Sequence, residues 1–352
     1  MWRLFNLLLR NPLRSITFTY NFVAQVLLIG LKLTLLPHLP RYQSVRIQIH
    51  RAYWATCSTF FPALIHRLPV TGCPQARARR VGPGEWTSYI IPGTKKLDTV
   101  ANTAGACVAV YAHGGGYARG EARMYLNYME RWQREATKFG IDITFVSVEY
   151  PLTDVASHPA QQNSFLNTYR YVLDQGVSPN QVIFMGDSAG GGCCLLSSIE
   201  LQSLGLPQPA AGILISPWFD MALKSFDGGS AFVETDYIIT ANEGVPLFAR
   251  RWVGDISGRS PEVNPLYHKP SKFSELPPQL VLVGGGDFVL PECRELIQVF
   301  ETASLPHRFV VEWGQIHLYA LGSKWITPEV RSRTDSIIFS WILEALNSEP
   351  DI

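Results

Sequence analysis

A chain of 352 residues with 47% hydrophobic residues can fold as one large domain with a lid, or at most as two small domains. Its formal net charge of +1 gives no reason to expect nucleic acid or another anionic polymer as a partner. The six cysteines lack the spacing of a metal site, and a chain of this length needs no disulfides for stability. We therefore expect them to be mostly small buried residues.

The first notable segment is apolar. Residues 16–36 contain Lys32 as their only charged residue, and Arg3, Arg10 and Arg14 precede them. This length allows a membrane span, whose N-terminus would be cytosolic by the positive-inside rule. The alternatives are a helix lying on the lipid surface and an apolar lid helix. We expect attachment to a membrane, with the endoplasmic reticulum as a candidate and a cytoplasmic protein as the alternative.

The next residues predict a transition to the main domain. Residues 41–61 are typical of a helix with mixed faces, and residues 69–84 are typical of a connector because they are rich in Pro, Gly and Arg. Residues 85–91 predict an early strand at the edge of a sheet, since a Pro-Gly turn follows them.

From Cys107 onward, apolar strands and longer helices alternate, which is typical of a parallel sheet covered on both faces. A helix is also expected to begin at Thr327, where a capping residue precedes proline and an acid. The predicted strands are 107–112, 143–150, 181–185, 211–215, 279–283 and 308–313, and the predicted helices are 121–139, 159–175 and 189–204.

Ser188 is a candidate nucleophile. It lies in Gly186-Asp-Ser-Ala-Gly190, between a predicted strand and a predicted helix. A Gly-x-Ser-x-Gly sequence at such a junction holds the serine on a tight, strained turn. The pattern alone also occurs in ordinary glycine-rich turns, so its position between strand and helix carries the prediction.

A second glycine cluster strengthens this interpretation. His113 is followed by three glycines, Gly114 to Gly116, directly after the predicted strand 107–112. Successive glycines leave backbone N–H groups uncovered, and such donors stabilise the negative charge that develops during acyl transfer, by about 3 kcal/mol each. A flexible loop without chemistry is the simpler alternative.

These two motifs resemble those of the hormone-sensitive-lipase-like esterases of the α/β-hydrolase superfamily. The resemblance extends roughly from Val108 to the C-terminus. It implies an α/β-hydrolase fold with a mostly parallel central sheet, helices on both faces and a helical cap. It also implies oxyanion donors at the backbones of Gly115, Gly116 and Ala189. The sequence of residues 151–157 differs from the motif usual at this place in that family, so the resemblance does not predict the shape of this loop.

The remaining catalytic residues are expected after later strands, in the order serine, acid, histidine. Asp287 follows the strand 279–283, and His317 follows the strand 308–313. Parallel sheets assemble their sites at this edge. His317 would take the proton from Ser188, and Asp287 would orient the imidazole. Glu292 and Glu312 are alternative carboxylates, but neither lies at the end of a strand.

Two further residues are expected to support the site. Asp187 precedes the nucleophile, and we expect its carboxylate to orient the His113 loop through hydrogen bonds. We expect His113 to pack at the oxyanion turn, because it would otherwise compete with His317 for the role of base.

The stretch 217–275 has no obvious sheet pattern and is rich in aromatic residues. The resemblance implies that this insertion forms part of a cap together with the N-terminal region. The expected organisation is therefore an apolar segment and part of the cap at 1–85, core at 86–216, cap insertion at 217–275, and core at 276–352.

The sequence thus predicts a serine esterase that forms an acyl-enzyme and needs no metal or organic cofactor. The apolar N-terminus and aromatic cap favour a lipophilic ester, such as a short acyl or acetyl group on a sterol, terpenoid or polyketide. The resemblance is in particular to microsomal deacetylases and fungal steryl acetyl hydrolases. Two alternatives remain: an acyltransferase or lactone-forming enzyme with the same triad, and a non-catalytic receptor, as the gibberellin receptors are. The oligomeric state is not predicted.

Overall fold

The computed structural model describes residues 2–38, 41–61, 72–224, 235–237 and 244–348. Its eight-stranded sheet has the order β1-β2-β4-β3-β5-β6-β7-β8. The strands are β1 Arg79–Val81, β2 Thr87–Ile91, β3 Ala106–Ala112, β4 Asp142–Glu149, β5 Val182–Asp187, β6 Ala211–Ile215, β7 Gln279–Gly284 and β8 His307–Glu312. β1 and β2 are antiparallel to their neighbours, whereas β3 to β8 pair in parallel. The predicted mostly parallel sheet is confirmed.

The helices alternate with these strands as the sequence predicts. They are α1 Trp2–Arg10, α2 Pro12–Leu35, α3 Val45–Phe60, α4 Leu97–Ala101, α5 Leu126–Ala136, α6 Ala160–Asp174, α7 Ala189–Ser203, α8 Gly244–Val253, α9 Leu290–Thr302 and α10 Pro328–Asn347. Short 3₁₀ turns lie at Thr137–Phe139, Pro179–Gln181, Pro265–Tyr267, Pro270–Lys272 and Tyr319–Leu321. Thr327 caps α10, as expected, by accepting a hydrogen bond from the N–H of Val330.

The core has two parts, one on each face of the sheet. Successive side chains of a strand point to opposite faces, so Val108 and Val110 of β3 pack with α6, α7 and α9, whereas Cys107 and Ala109 pack with α5 and α10. The inner strands are buried along their whole length, as expected for a parallel sheet covered by helices on both sides. All six cysteines are free, and all except Cys73 are buried.

Two boundaries differ from the prediction. Residues 79–81 lie in the expected connector but form β1, so β1, rather than β2, is the edge strand. It is short, arginine-rich and partly exposed, which is typical of an edge and hard to distinguish from a linker. The helix expected at 121–139 begins only at Leu126, since residues before it contact the sheet: the N–H of Ala122 donates to Glu149.

Candidate active site

Ser188 lies on a strained turn between β5 and α7. Its backbone has φ 50° and ψ −123°, and the side chain is almost fully buried. Glycine is required on both sides: a Cβ on Gly186 would lie 2.5 Å from the carbonyl oxygen of Gly190, and one on Gly190 would lie 2.1 Å from that of Ala112. The N–H of Ser188 donates to the carbonyl of Ile215 on the neighbouring strand, which fixes the turn against β6. The sequence pattern therefore forms the predicted strand-to-helix elbow.

The structure brings the three predicted catalytic side chains together. Nε2 of His317 lies 3.0 Å from Oγ of Ser188, and Nδ1 of His317 lies 2.9 Å from Oδ1 of Asp287. Both Asp287 and His317 are buried. Burial lowers the pKa of His317, but the carboxylates of Asp287, Asp236 and Asp187 outweigh it, so the pKa is raised overall. This arrangement can remove a proton from the serine hydroxyl and hold the resulting imidazolium.

The glycine loop after β3 faces the same serine. Gly115 and Gly116 have positive φ angles of 115° and 62°. Together with Ser188 and His317, both glycines line one cavity. Within the described part of the chain, no protein atom accepts a hydrogen bond from the N–H groups of Gly115, Gly116 or Ala189. These three donors can therefore serve an oxygen of a bound ester.

Asp187 ties the glycine loop to the elbow. Its Oδ1 accepts hydrogen bonds from the N–H of Gly114 (3.0 Å) and from the hydroxyl of Tyr111 (2.7 Å). Its Oδ2 accepts one from the hydroxyl of Tyr125 (2.9 Å). Burial raises the pKa of Asp187 to about 6, although these hydrogen bonds oppose the change. The role of these two tyrosines was not predicted, because neither belongs to a recognised motif: Tyr111 lies within β3, and Tyr125 lies just before α5.

His113 is buried behind the glycine loop and contacts neither Ser188 nor Asp287 by a hydrogen bond in the described structure. Its Nδ1 lies 2.7 Å from the carbonyl oxygen of Gly114, and its ring stacks on Tyr150 with 4.2 Å between centroids. The hydroxyl of Tyr150 donates to the carbonyl of His113. Burial lowers the pKa of His113 to about 4, so the ring is neutral at physiological pH.

Sequence reasoning missed one buried carboxylate, that of Asp236. Single ligand atoms of Asp236, Asp287 and His317 all lie within 4.8 Å of one another. Both oxygens of Asp236 accept hydrogen bonds from backbone N–H groups, and Oδ1 of Asp287 accepts one from the N–H of Val289 and lies 2.9 Å from Nδ1 of His317. The two alternative carboxylates lie elsewhere: Glu292 accepts from the N–H of Phe219, and Glu312 pairs with Arg333.

Ser188 opens into a cavity of about 1020 Å³. Its walls come from α3, α5, α8, the glycine loop and the residues after His317. The lining side chains include Trp54, Trp218, Tyr237, Val245, Leu247, Phe248, Phe288, Leu318 and Trp325. Arg119, Arg131, Arg134, Lys324 and Arg331 also line it. A pocket of this size, with many aromatic and aliphatic side chains and some polar ones, can hold an organic molecule with a large apolar part.

The N-terminal helix α2 lies outside this cavity. It packs against α3, where Phe18 contacts Phe61 and Tyr53 with ring centroids 5.6 and 6.4 Å apart. Its other face is exposed, with Leu13 80% and Leu27 67% accessible. By length and composition this helix could cross a membrane, although an N-terminal signal sequence passes the same test.

Comparisons with known proteins identify the family of the chain. A family model described as alpha/beta hydrolase fold matches residues 109–321, which is more than half of the chain. LipR of Mycobacterium tuberculosis, assigned as an acetyl-hydrolase, is 31% identical over 63% of this chain and 68% of its own length. An acetyl-hydrolase of Streptomyces hygroscopicus is 28% identical over 59% and 66%. The M. tuberculosis esterase LipU is 26% identical over 88% and 95%.

Solved structures show the same fold. The hormone-sensitive-lipase homologue EstE7 from a metagenome library superposes with a TM-score of 0.69, at 22% identity, over 86% of this chain and 97% of its own. An esterase/lipase from an uncultured bacterium gives a TM-score of 0.66 over 93% and 99%, at 21% identity. The chain therefore belongs to the α/β-hydrolase fold family, and within it to the carboxylic ester hydrolases.

Proposed function

We propose that this enzyme cleaves the ester of a short acyl group and a lipophilic alcohol through an acyl-enzyme on Ser188. The observation that carries the proposal is the continuous series of hydrogen bonds from Ser188 through His317 to Asp287. Oγ of Ser188 attacks the ester carbonyl while Nε2 of His317 takes its proton. Asp287 holds the imidazole in the correct tautomer and stabilises the imidazolium. The protonated imidazole then gives its proton to the leaving alcohol, and His317 activates water to release the acid.

The oxyanion of each tetrahedral intermediate binds the N–H groups of Gly115, Gly116 and Ala189. Ala189 is the first residue of α7, where the helix dipole also favours negative charge. Asp187 is the support that fixes this loop, through the N–H of Gly114. His113 is a packing residue of the loop, because its neutral ring is stacked on Tyr150.

The substrate class follows from the cavity and the relatives. A short acyl group is supported by the names of LipR and of the Streptomyces protein, which both describe acetyl-hydrolases. The aromatic and aliphatic wall favours a bulky apolar alcohol, such as a sterol, terpenoid or polyketide.

In this proposal α3 from residues 1–85 and α8 from residues 217–275 form a cap over the core of residues 86–216 and 276–352, to which β1 at 79–81 also belongs. Contacts of α8 support this division: Trp252 stacks on Tyr117 of the glycine loop with ring centroids 4.3 Å apart. The N-terminal part contributes α3, whose residues His50 and Trp54 line the cavity. The exposed apolar face of α2 attaches this cap to a lipid membrane.

The experiment is a comparison of wild type and Ser188→Ala with p-nitrophenyl acetate, butyrate and decanoate, followed by acetate esters of a sterol and a terpenoid alcohol. We expect the acetate or butyrate to give the highest kcat/KM and the Ser188→Ala variant to be inactive. Addition of a free alcohol acceptor separates hydrolysis from acyl transfer, because a transferase would yield a new ester instead of acid. A protein that binds these esters but releases neither product would be a receptor.

A further inference from the structure

A second carboxylate is buried directly beside the Asp287–His317 pair. Asp236 is only 1% exposed, and it comes from a part of the chain far from the loops that carry Asp287 and His317. In the described residues, no lysine or arginine forms an ion pair with either aspartate. His317 is therefore the cationic partner available to both carboxylates when it is protonated.

The oxygens of Asp236 hold the loop after β7. Its Oδ2 accepts a hydrogen bond of 2.8 Å from the N–H of Phe288, the residue after Asp287. Its Oδ1 accepts one of 2.6 Å from the N–H of Tyr237. The Phe288 ring in turn contacts the His317 imidazole, with 4.9 Å between centroids. Through its hydrogen bond to the N–H of Phe288, Asp236 thus restrains both the neighbouring Asp287 and the Phe288 ring that packs on His317.

The charges of the cluster depend on one another. Burial and the nearby Asp287 carboxylate raise the pKa of Asp236 to about 7, whereas His317 opposes this change. Oδ2 of Asp287 is buried and has no hydrogen-bond partner in the described structure. Two carboxylates this close in a buried site do not ionise independently, so the protons belong to the cluster as a whole. The other groups that face it are the Tyr237 hydroxyl, whose pKa is raised by burial, and Asp187.

We propose that Asp236 is a positioning residue of the catalytic apparatus, which holds the Asp287 loop through Phe288 and adds a second negative charge behind the His317 imidazolium. No covalent step changes: the proton moves from Oγ of Ser188 to Nε2 of His317, and Asp236 stabilises the charge that this transfer creates. The inference rests on the proposed function, because it assumes that His317 acts as a base.

The test is the variant Asp236→Asn, which keeps the shape of the side chain and one acceptor oxygen but loses the charge. Removal of a negative charge beside His317 should shift the acid limb of kcat/KM to lower pH by about half a unit or more. We expect kcat above pH 8 to fall by about tenfold, since the imidazolium is less stabilised. If Asp236 had a purely structural role, Asp236→Asn would have a lower melting temperature but the same acid limb in the pH profile of kcat/KM.

Asp220→Asn is the matched control. Asp220 is also 1% exposed, and its oxygens accept hydrogen bonds from the backbone N–H groups of Ala222 and Lys224. Both variants deprive backbone N–H groups of a charged acceptor, but of the two aspartates only Asp236 is among the carboxylates that face His317. If Asp236→Asn had the same acid limb and the same kcat as Asp220→Asn, the proposal would be overturned.

Labelling by a fluorophosphonate distinguishes failure of this inference from failure of the proposed function. If wild type is not labelled at Ser188, the proposed function fails. If it is labelled with a pH dependence that Asp236→Asn does not change, only the role of Asp236 fails. Should Asp236→Asn not fold, NMR titration of the His317 ring in wild type decides, with His317→Gln used to assign the signal. We expect two inflections between pH 5 and 9, and a single one would overturn the proposal.

Discussion

The backbone N–H of Gly114 donates a hydrogen bond of 3.0 Å to Oδ1 of Asp187. The residue directly before the proposed nucleophile therefore holds the loop that supplies two of the proposed oxyanion donors. Nucleophile and oxyanion donors must keep a fixed separation during acyl transfer, because the donors act only where the negative charge develops. One buried carboxylate couples these two parts of the site.

This coupling predicts that Asp187→Ala lowers kcat by about 100-fold, the usual effect of disturbing an oxyanion site. Asp187→Asn is the matched variant, because its single oxygen can still accept from Gly114 and Tyr111. We expect it to lose less than tenfold. The measurement is kcat on p-nitrophenyl acetate, with circular dichroism to verify the fold. A folded Asp187→Ala enzyme with wild-type kcat would contradict the coupling.

Ser188→Ala should lower kcat by on the order of 10⁴-fold or more and abolish labelling by a fluorophosphonate. The fold should remain, although Ala also has to adopt the positive φ of 50° at this position. Ser304→Ala is a control, since Ser304 also has a positive φ (56°) but lies just after α9, outside the hydrogen bonds between Ser188, His317 and Asp287. Equal loss of activity in both variants would mean that alanine at a positive φ, rather than loss of the hydroxyl, matters.

The pH dependence follows from the environment of His317. Its neighbouring carboxylates outweigh burial and raise its pKa above the ordinary value of about 6.5. Only the neutral imidazole accepts a proton, so kcat/KM should fall as pH decreases, with a midpoint above pH 6.5. Asp287→Asn should lower kcat by about 10³- to 10⁴-fold even well above this pH, because the imidazole loses its orienting acceptor.

The control for this prediction is Asp142→Asn, which removes an exposed carboxylate that pairs with Lys95 on the surface. It should leave both the midpoint and the plateau of the pH profile unchanged, because solvent screens such a charge. A midpoint below pH 6 in wild type would indicate that burial dominates at His317. An unchanged plateau in Asp287→Asn would transfer the role of the acid to another carboxylate.

Much of this site was predictable because parallel strands deliver their following residues to one edge of the sheet. Ser188, Asp287 and His317 each follow a strand that hydrophobic patterning identifies, and their order along the chain matches the fold. The glycine loop was predictable for the same reason. In these places the local sequence and the global fold agree, so local reasoning suffices.

The role of Asp236 was not predictable, because the sequence around it has no periodic pattern that would show which way its side chain points. Its position depends on tertiary contacts with the loop of Phe288. α5 begins later than predicted for a similar reason. The N–H of Ala122 donates a hydrogen bond to Glu149 of β4, and the hydroxyl of Tyr125 donates one to Asp187 of β5. Helix propensity does not contain such long-range contacts.

The contact between α8 and the glycine loop gives a further prediction. A Cβ on Gly116 would lie 2.7 Å from the ring of Phe248 on α8, and the φ of Gly116 is 62°. Gly116→Ala should therefore displace Phe248 and lower kcat by more than tenfold. Gly205→Ala is the matched control, because Gly205 has the same φ of 62° and open space around it. It should show only the backbone cost, about 1 kcal/mol in unfolding free energy. Equal kcat in the two variants would contradict a functional contact between α8 and the loop.

The last prediction concerns α2 and separates membrane attachment from a role as a lid. Of the described residues that line the cavity, none belongs to α2, whereas α3 contributes several. Deleting residues 1–36 would also remove Phe18 and expose Tyr53 on α3, so truncation would disturb the cap as well. Substitutions on the outer face of α2 avoid this. Leu27 and Leu31 are 67% and 52% exposed, and each full burial of a leucine in lipid is worth about 2 kcal/mol.

If α2 attaches the protein to a membrane, the double variant Leu27→Glu/Leu31→Glu should weaken binding to phospholipid vesicles by more than about 100-fold, because it removes apolar area and adds charge to the outer face of α2. Its kcat on p-nitrophenyl acetate should equal that of wild type, since this face does not reach the cavity. The matched control is Val155→Glu/Leu204→Glu, which places two glutamates at exposed apolar positions, 78% and 45% accessible, away from α2. It should keep wild-type vesicle binding. A different result would show that α2 is a lid: the α2 variant would lose kcat in solution but still bind vesicles. Its outer face would then pack on the enzyme rather than on lipid.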